Sequence, residues 1–238
     1  FWAWNSWLEK DELERQIEIF NEMGFGGFHM HVRTGLKNKY LSDEYMQLIR
    51  DCVDKAKSEK MLAWLYDEDR WPSGAAGGYV TDERYRARYL LFTPFKTAEA
   101  KKSVEVSAGR TNNGKLLACY DVVLDKDGYL SSYKQIGEDD KAEGTKWYAF
   151  MEIIGESDWF NGKTYADTLS KDAVDRFVEI THEKYKKCIG DEFDKTVPAI
   201  FTDEPQFTHK AVMNNSFDKM DMIMPWTDKV PELYEKAY

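Results

Sequence analysis

No apolar run in the chain approaches the roughly 20 residues needed to cross a bilayer, so no membrane partner is expected. No signal-peptide pattern opens it. It begins at Phe1 rather than Met, which predicts that upstream sequence has been removed. Cysteine is scarce. Cys52, Cys119 and Cys188 are odd in number, far apart and without a paired metal-type spacing, so they read as buried free thiols rather than a disulfide framework or a zinc site. Free thiols lean towards a reducing compartment, hence the cytoplasm over secretion, without deciding it. Positive charge is also short. Lys and Arg number 33 against 43 Asp and Glu, a net charge of −10, which disfavours nucleic acid or an anionic membrane as partner. The glycine-rich stretch Arg70–Tyr79 lacks both the Gly-Lys-Ser/Thr ending and the Gly-x-Gly-x-x-Gly order of nucleotide-binding loops. His182 has no second histidine four residues away, so it is not half of a metalloprotease motif and reads as structural.

What is present is the material of a sizeable core: 238 residues, 42% hydrophobic and 15% aromatic. Eight Trp and fourteen Tyr suit sugar-stacking platforms as well as plain core. Phe1–Asn5 reads as a first strand, Lys10–Met23 as a helix with Leu13, Ile17 and Phe20 at helical spacing, and Gly24 as its stop. Gly26–Arg33 reads as a second strand with Phe28, Met30 and Val32 on one side and His29, His31 and Arg33 on the other. Ser42 is placed to cap a second helix reaching Lys60, with Leu41 packing on Met46, and Met61–Tyr66 is a third strand. This β-α-β-α-β order with short connections predicts parallel crossover units.

From about Arg86 to Glu156 the period changes. Leu90–Phe95, Val104–Val106, Leu116–Leu124, Tyr129–Ile136 and Trp147–Ile154 read as strands, with hairpin turns at Lys126–Gly128 and Asn112–Gly114. A third long helix follows Ser170, with Ala173, Val174, Phe177, Val178, Thr181, Tyr185 and Cys188 inward and Gly190 at its end. Val197–Phe201 then reads as a strand buried on both faces and closed by Thr202-Asp203-Glu204-Pro205. Beyond Phe207 the chain reads as irregular to Lys219, then as a short helix introduced by Pro225 and Pro231. The fold class expected is α/β: strands 1–4 of a partial (β/α)8 TIM-type barrel with an antiparallel β subdomain inserted after strand 3. Its segments are 1–85 (three β/α units), 86–160 (the insertion) and 161–238 (third helix, fourth strand and following loop). A doubly wound sheet is the rival, but the turn after strand 1, Asn5-Ser6-Trp7-Leu8, carries no glycine-rich phosphate signature.

Parallel α/β folds collect chemistry at the carboxyl ends of their strands. Those ends supply Asn5; His31 and Arg33; Asp67, Glu68 and Asp69; and Asp203 and Glu204. Acids beside imidazole and guanidinium suit glycoside hydrolysis by two carboxyls, or a divalent-metal site with oxygen and imidazole ligands. Each also has a plainer reading. His29 is a core histidine, Arg33 a structural partner of Asp67 or Asp69, Trp71 and Tyr66 wall packing, and Asp203-Glu204 an exposed pair of loop acids. Glu204 has the longer reach into a pocket.

Trp4-Asn5, Gly26-Gly27-Phe28 with His31-x-Arg33-x-Gly35, Trp64-Leu-Tyr-Asp-Glu-Asp-x-Trp-Pro-Ser-Gly74, Thr181-His-Glu183 and Phe201-Thr-Asp-Glu-Pro205 occur in this order. The set resembles the catalytic region of the α-L-rhamnosidase-like glycoside hydrolases of family 106. The Trp64–Gly74 block is the specific part, and the inserted β region matches only in placement. The resemblance implies a (β/α)8 catalytic barrel within a larger enzyme that hydrolyses a terminal deoxysugar glycoside with inversion. Calcium would be a cofactor, on ligands that the motifs do not place. It implies Glu204 as a catalytic carboxylate with Asp203 beside it. His31, Arg33, Asp67, Glu68 and Trp71, joined by Asn5, would line the sugar pocket. A chain that ends after strand 4 lacks the second half of such a barrel, which predicts an inactive piece by itself and a homodimer at its open sheet edges. The alternative is a carbohydrate-binding or scaffold module without turnover. A less favoured one is a metal-dependent hydrolase of another bond using His31, Asp67 and Asp203.

Overall fold

The computed structural model describes residues 1–80, 82–96, 111 and 113–238. Its elements run β1 (Trp2–Trp4), α1 (Lys10–Glu22), β2 (Gly27–Val32), α2 (Asp43–Ser58), β3 (Leu62–Tyr66), β4 (Arg88–Thr93), β5 (Lys115–Leu124), β6 (Leu130–Ile136), β7 (Thr145–Ile153), α3 (Lys171–Ile180), α4 (His182–Ile189), β8 (Ile200–Phe201), β9 (Met222–Trp226) and α5 (Val230–Ala237). The chain divides into two units, residues 1–81 with 171–206, and residues 82–170 with 207–238.

The first unit carries a four-stranded sheet in the order β1-β2-β3-β8, parallel throughout. Alternation along β2 buries Phe28, Met30 and Val32 in one core with Trp2, Trp4, Leu13, Ile17, Tyr45, Ile49 and Val53, so α1 and α2 share that face of the sheet. The opposite face carries a ring cluster. His31 stacks on Tyr66 with centroids 4.0 Å apart, and Phe1, His29 and Phe201 pack around the pair. Ser42 caps α2 as its sequence position predicts, accepting from Tyr45 N at 3.1 Å. Where β2 meets β3, a Cβ on Gly27 would lie 2.4 Å from the Leu62 carbonyl oxygen. Backbone cannot yield there as a side-chain tip can. Gly27→Ala is therefore expected to lower stability by about 1–3 kcal/mol, as overpacking does, read as a lower denaturant midpoint.

Two expectations fail in this unit. Val197–Phe201 is not buried on both faces. Its strand is only Ile200–Phe201, paired among the described residues with β3 alone, and Pro198, Ala199 and Phe201 are exposed. β8 is the edge of the sheet, so a run of apolar residues reports stickiness there rather than enclosure. The long helix after Ser170 is also two helices, broken at Thr181, whose hydroxyl donates to the Phe177 carbonyl at 2.7 Å. Such back-bonding by a β-branched hydroxyl competes with the helical ladder and bends it. Val174, expected inward, is exposed, while Ala173, Phe177, Thr181 and Tyr185 are buried.

The second unit is a five-stranded antiparallel sheet in the order β6-β5-β7-β4-β9. Tyr89, Leu91 and Ile223 form its buried centre. The β5–β6 hairpin turns at Asp125–Gly128, where Gly128 takes φ 85° and the Asp125 carboxylate accepts from the N–H groups of Asp127 and Tyr129. The expected strand Val104–Val106 and part of the expected Asn112–Gly114 turn lie outside the described residues. Met222–Trp226, read from sequence as the approach to a helix, is strand β9 and pairs with β4. Pro225 is tolerated because β9 is an edge strand. The 207–238 stretch thus joins this sheet rather than the parallel one.

Candidate functional site

Strands β3 and β8 are parallel neighbours, so their carboxyl ends bring Asp67, Glu68 and Asp69 beside Thr202, Asp203 and Glu204. Asp67 is fully buried. Its Oδ1 accepts from Ser73 Oγ at 2.6 Å, and its Oδ2 accepts from Thr202 Oγ1 at 2.6 Å and from His182 Nε2 at 2.9 Å. Three donors make a buried charge tolerable. They also leave this carboxylate committed to holding the strand ends together. Removing one of them, by Ser73→Ala or Thr202→Val, is expected to cost about 1–3 kcal/mol of stability, measurable in urea unfolding.

Glu68 is equally buried and sits in a backbone cradle. Oε2 accepts from the N–H groups of Gly74, Ala75 and Ala76 at 3.0, 2.9 and 2.7 Å, and Oε1 accepts from those of Asp69 and Gly77. The loop can wrap a carboxylate this way because Gly74, Ala76, Gly77 and Gly78 all take positive φ, three of them glycines that adopt it without strain. The glycine-rich loop is thus shaped around its own acid. Burial pushes the Glu68 carboxyl up to about 8, against the five N–H donors that favour the charged form. Asp69 is mostly buried and accepts from Arg70 Nε and Nη2, at 3.2 and 3.0 Å.

Asp203 and Glu204 face a different situation. Asp203 is tied to the Arg70–Tyr79 loop at two points, both on Ser73, and to the end of β3 at a third. Its N–H donates to Ser73 Oγ at 2.8 Å, its carbonyl accepts from Ser73 N at 2.9 Å, and its Oδ2 accepts from the Tyr66 hydroxyl at 3.3 Å. That carboxylate and burial together raise the Tyr66 hydroxyl pKa, burial being the larger cause. Glu204 is exposed, with a left-handed backbone at φ 42°, and its Oε2 accepts from the Trp71 indole N–H at 3.1 Å. A non-glycine residue in that region is strained and persists only where its surroundings over-determine it. Trp71 keeps 39% of its surface exposed beside the acid it orients.

His31 is 95% buried by its 5% exposure, and burial first, then the neighbouring His29 and Arg33, push it down to about 4. It is a neutral imidazole whose Nε2 accepts from Arg33 Nη1 at 3.3 Å, while its buried Nδ1 has no hydrogen-bond partner among the described residues. His29 donates to the Leu65 carbonyl at 2.8 Å, the structural role its position suggested. Asn5 is exposed at the end of β1, its carbonyl against Gly35, where a Cβ would approach to 2.6 Å. Of the residues singled out from sequence, Glu204, Asp203 and Trp71 are thus joined by contacts at one corner. Asp67 and Glu68 are committed inside it. His31 and Arg33 pair on the ring-bearing face, and Asn5 stands at the end of its own strand. Sequence reading took His182 as structural and gave Thr202 and Ser73 no role of their own. The signal available for each was its place in a sequence motif: Thr181-His-Glu183, Phe201–Pro205 and Trp64–Gly74.

Calcium, which the resemblance implies, finds no cage: among the described residues no three His, Cys, Asp or Glu side chains are set to hold one ion. Among those residues, too, no helix is long and apolar enough to cross a membrane. The fold and site define a parallel α/β unit with acids at the carboxyl ends of neighbouring strands. Comparison with family models, with curated proteins and with solved structures finds no match.

Proposed function

We propose that the parallel unit is the first half of a (β/α)8 barrel and that the protein is a glycoside hydrolase. Its substrate would be a terminal α-L-rhamnoside or a similar deoxysugar glycoside. The observation that carries this reading is Glu204: an exposed carboxylate on a strained left-handed backbone, at the carboxyl end of a parallel strand, oriented by an indole N–H. Glu204 would act as general acid or base on the glycosidic oxygen or the attacking water. Asp203 is the adjacent second acid, held in place by Tyr66 and Ser73. The exposed face of Trp71 offers a platform on which a sugar ring can stack. Parallel strands with acids at their carboxyl ends support the barrel reading.

The same exposed indole favours a second reading, a carbohydrate-binding module without turnover. An assay of the intact protein on a panel of aryl glycosides that includes α-L-rhamnoside separates the two. Release of the aryl group from one member supports the hydrolase. Sugar binding by calorimetry with no release from any member supports the binding module and overturns the hydrolase.

A further inference from the structure

Asp67 stands between two sets of groups. On one side Ser73 Oγ and Thr202 Oγ1 donate to it, and these two residues hold the Asp203–Glu204 corner: Ser73 through both backbone bonds to Asp203, Thr202 by immediate succession in the chain. On the other side is the His182 imidazole, at the first position of α4, where the helix break at Thr181 delivers it. With a carboxylate facing Nε2, that nitrogen carries the proton. Phe177 packs edge-on against the ring, centroids 5.7 Å apart, and fixes its tilt. The imidazole keeps about a third of its surface exposed although its partner has none.

We infer that His182 is a positioning residue for the Asp203–Glu204 corner, acting through Asp67. A carboxylate with three donors at fixed directions has one orientation. With the imidazole gone, Oδ1 keeps the Ser73 hydroxyl and Oδ2 the Thr202 hydroxyl, and the carboxylate loses the one donor that fixes it from the α4 side. Thr202 and Ser73, whose hydroxyls donate to it, shift with it. The strained backbone at Glu204 then loses part of what holds it at positive φ, and the Glu204–Trp71 contact opens. A donor at the same place restores the arrangement. An imidazole is required only in so far as it supplies one N–H at the right reach, which an amide also does.

This inference rests on the proposed role of Glu204 for its catalytic consequence but not for its structural one, and the test keeps the two apart. In the intact protein, the Trp71 indole N–H resonance is followed in ¹H–¹⁵N spectra of wild type, His182→Ala and His182→Gln. The expected result is a displaced or broadened indole signal in His182→Ala, return towards the wild-type position in His182→Gln, and unchanged dispersion of signals from α1 and α2. An unmoved indole signal in a folded His182→Ala protein overturns the inference. So does a signal displaced equally in both variants, which would make His182 mere packing. If His182→Ala fails to fold, His182→Gln carries the test alone, and an indole signal away from the wild-type position overturns the inference. Where the panel assay finds turnover, kcat should fall about a hundredfold in His182→Ala, as for a small misplacement of reacting groups. KM should be little changed and His182→Gln should recover most of the rate; a raised KM with kcat intact counts against positioning. If wild type turns over no glycoside, the hydrolase reading fails, and the spectroscopic result decides this inference independently.

Discussion

Glu204→Gln is expected to lower the hydrolysis of the responsive aryl glycoside by 10²–10⁴-fold, the usual contribution of a general acid or base. The substitution is chosen to leave the site otherwise intact. A glutamine oxygen can still accept from the Trp71 indole N–H, the backbone at φ 42° is no more strained than before, and the side chain is exposed, so no buried partner is orphaned. Stability should therefore match wild type while kcat falls. Activity retained in the variant would remove Glu204 from the chemistry, whatever its conformation. Trp71→Phe provides the companion measurement: it keeps a stacking face and removes the donor. A loss of rate smaller than that of Glu204→Gln would assign the indole N–H to aiming the carboxylate.

The largest effect on stability is expected from Glu68→Ala. Five backbone N–H groups converge on that carboxylate in a site closed to solvent. Each buried donor left without a partner costs about 1–3 kcal/mol, so the variant should lose about 4 kcal/mol or more, or surrender the loop. Urea unfolding measures the first outcome, and limited proteolysis between residues 70 and 80 reports the second. A loss below about 1 kcal/mol would mean that water replaces the carboxylate without penalty, and that the cradle does not order the loop. The pH dependence has a defined sign. The folded protein holds the Glu68 proton up to about 8, whereas an unfolded chain releases it near the ordinary value of 4.5. The folded state therefore binds the extra proton between these values. Its contribution is complete below about 4.5 and is lost as pH rises through 8. Stability should decline across that window in wild type, and this component should vanish in Glu68→Ala.

Several features were legible because they are local. Helical spacing at Leu13 and Ile17, the Ser42 cap, the alternation of Phe28, Met30 and Val32, and the turn chemistry around Gly128 each depend on neighbours within a few positions. The β-α-β-α-β order and the change of period near Arg86 placed parallel and antiparallel sheets in their stretches. What misled was local as well. Four apolar residues in Val197–Phe201 look the same whether the strand is flanked or lies at an edge. Met222–Trp226 is short and contains a proline, so only its pairing with β4 identifies it as a strand. The helix break at Thr181 follows from a hydroxyl choosing the Phe177 carbonyl, which spacing does not reveal.

The site divides along the same line. The sequence by itself determined that acids crowd the ends of two strands, that a glycine-rich loop lies between those strands in the chain, and that this loop can take left-handed turns. It could not say which acid is free. Asp67, Glu68 and Glu204 are equivalent as letters, and their difference arises from partners distant in the chain. Ser73, Thr202 and His182 consume Asp67, a ring of loop N–H groups consumes Glu68, and a single indole leaves Glu204 open to solvent. Hydrogen-bond capacity is satisfied in three dimensions, and only the tertiary structure decides which carboxylate has any left to offer.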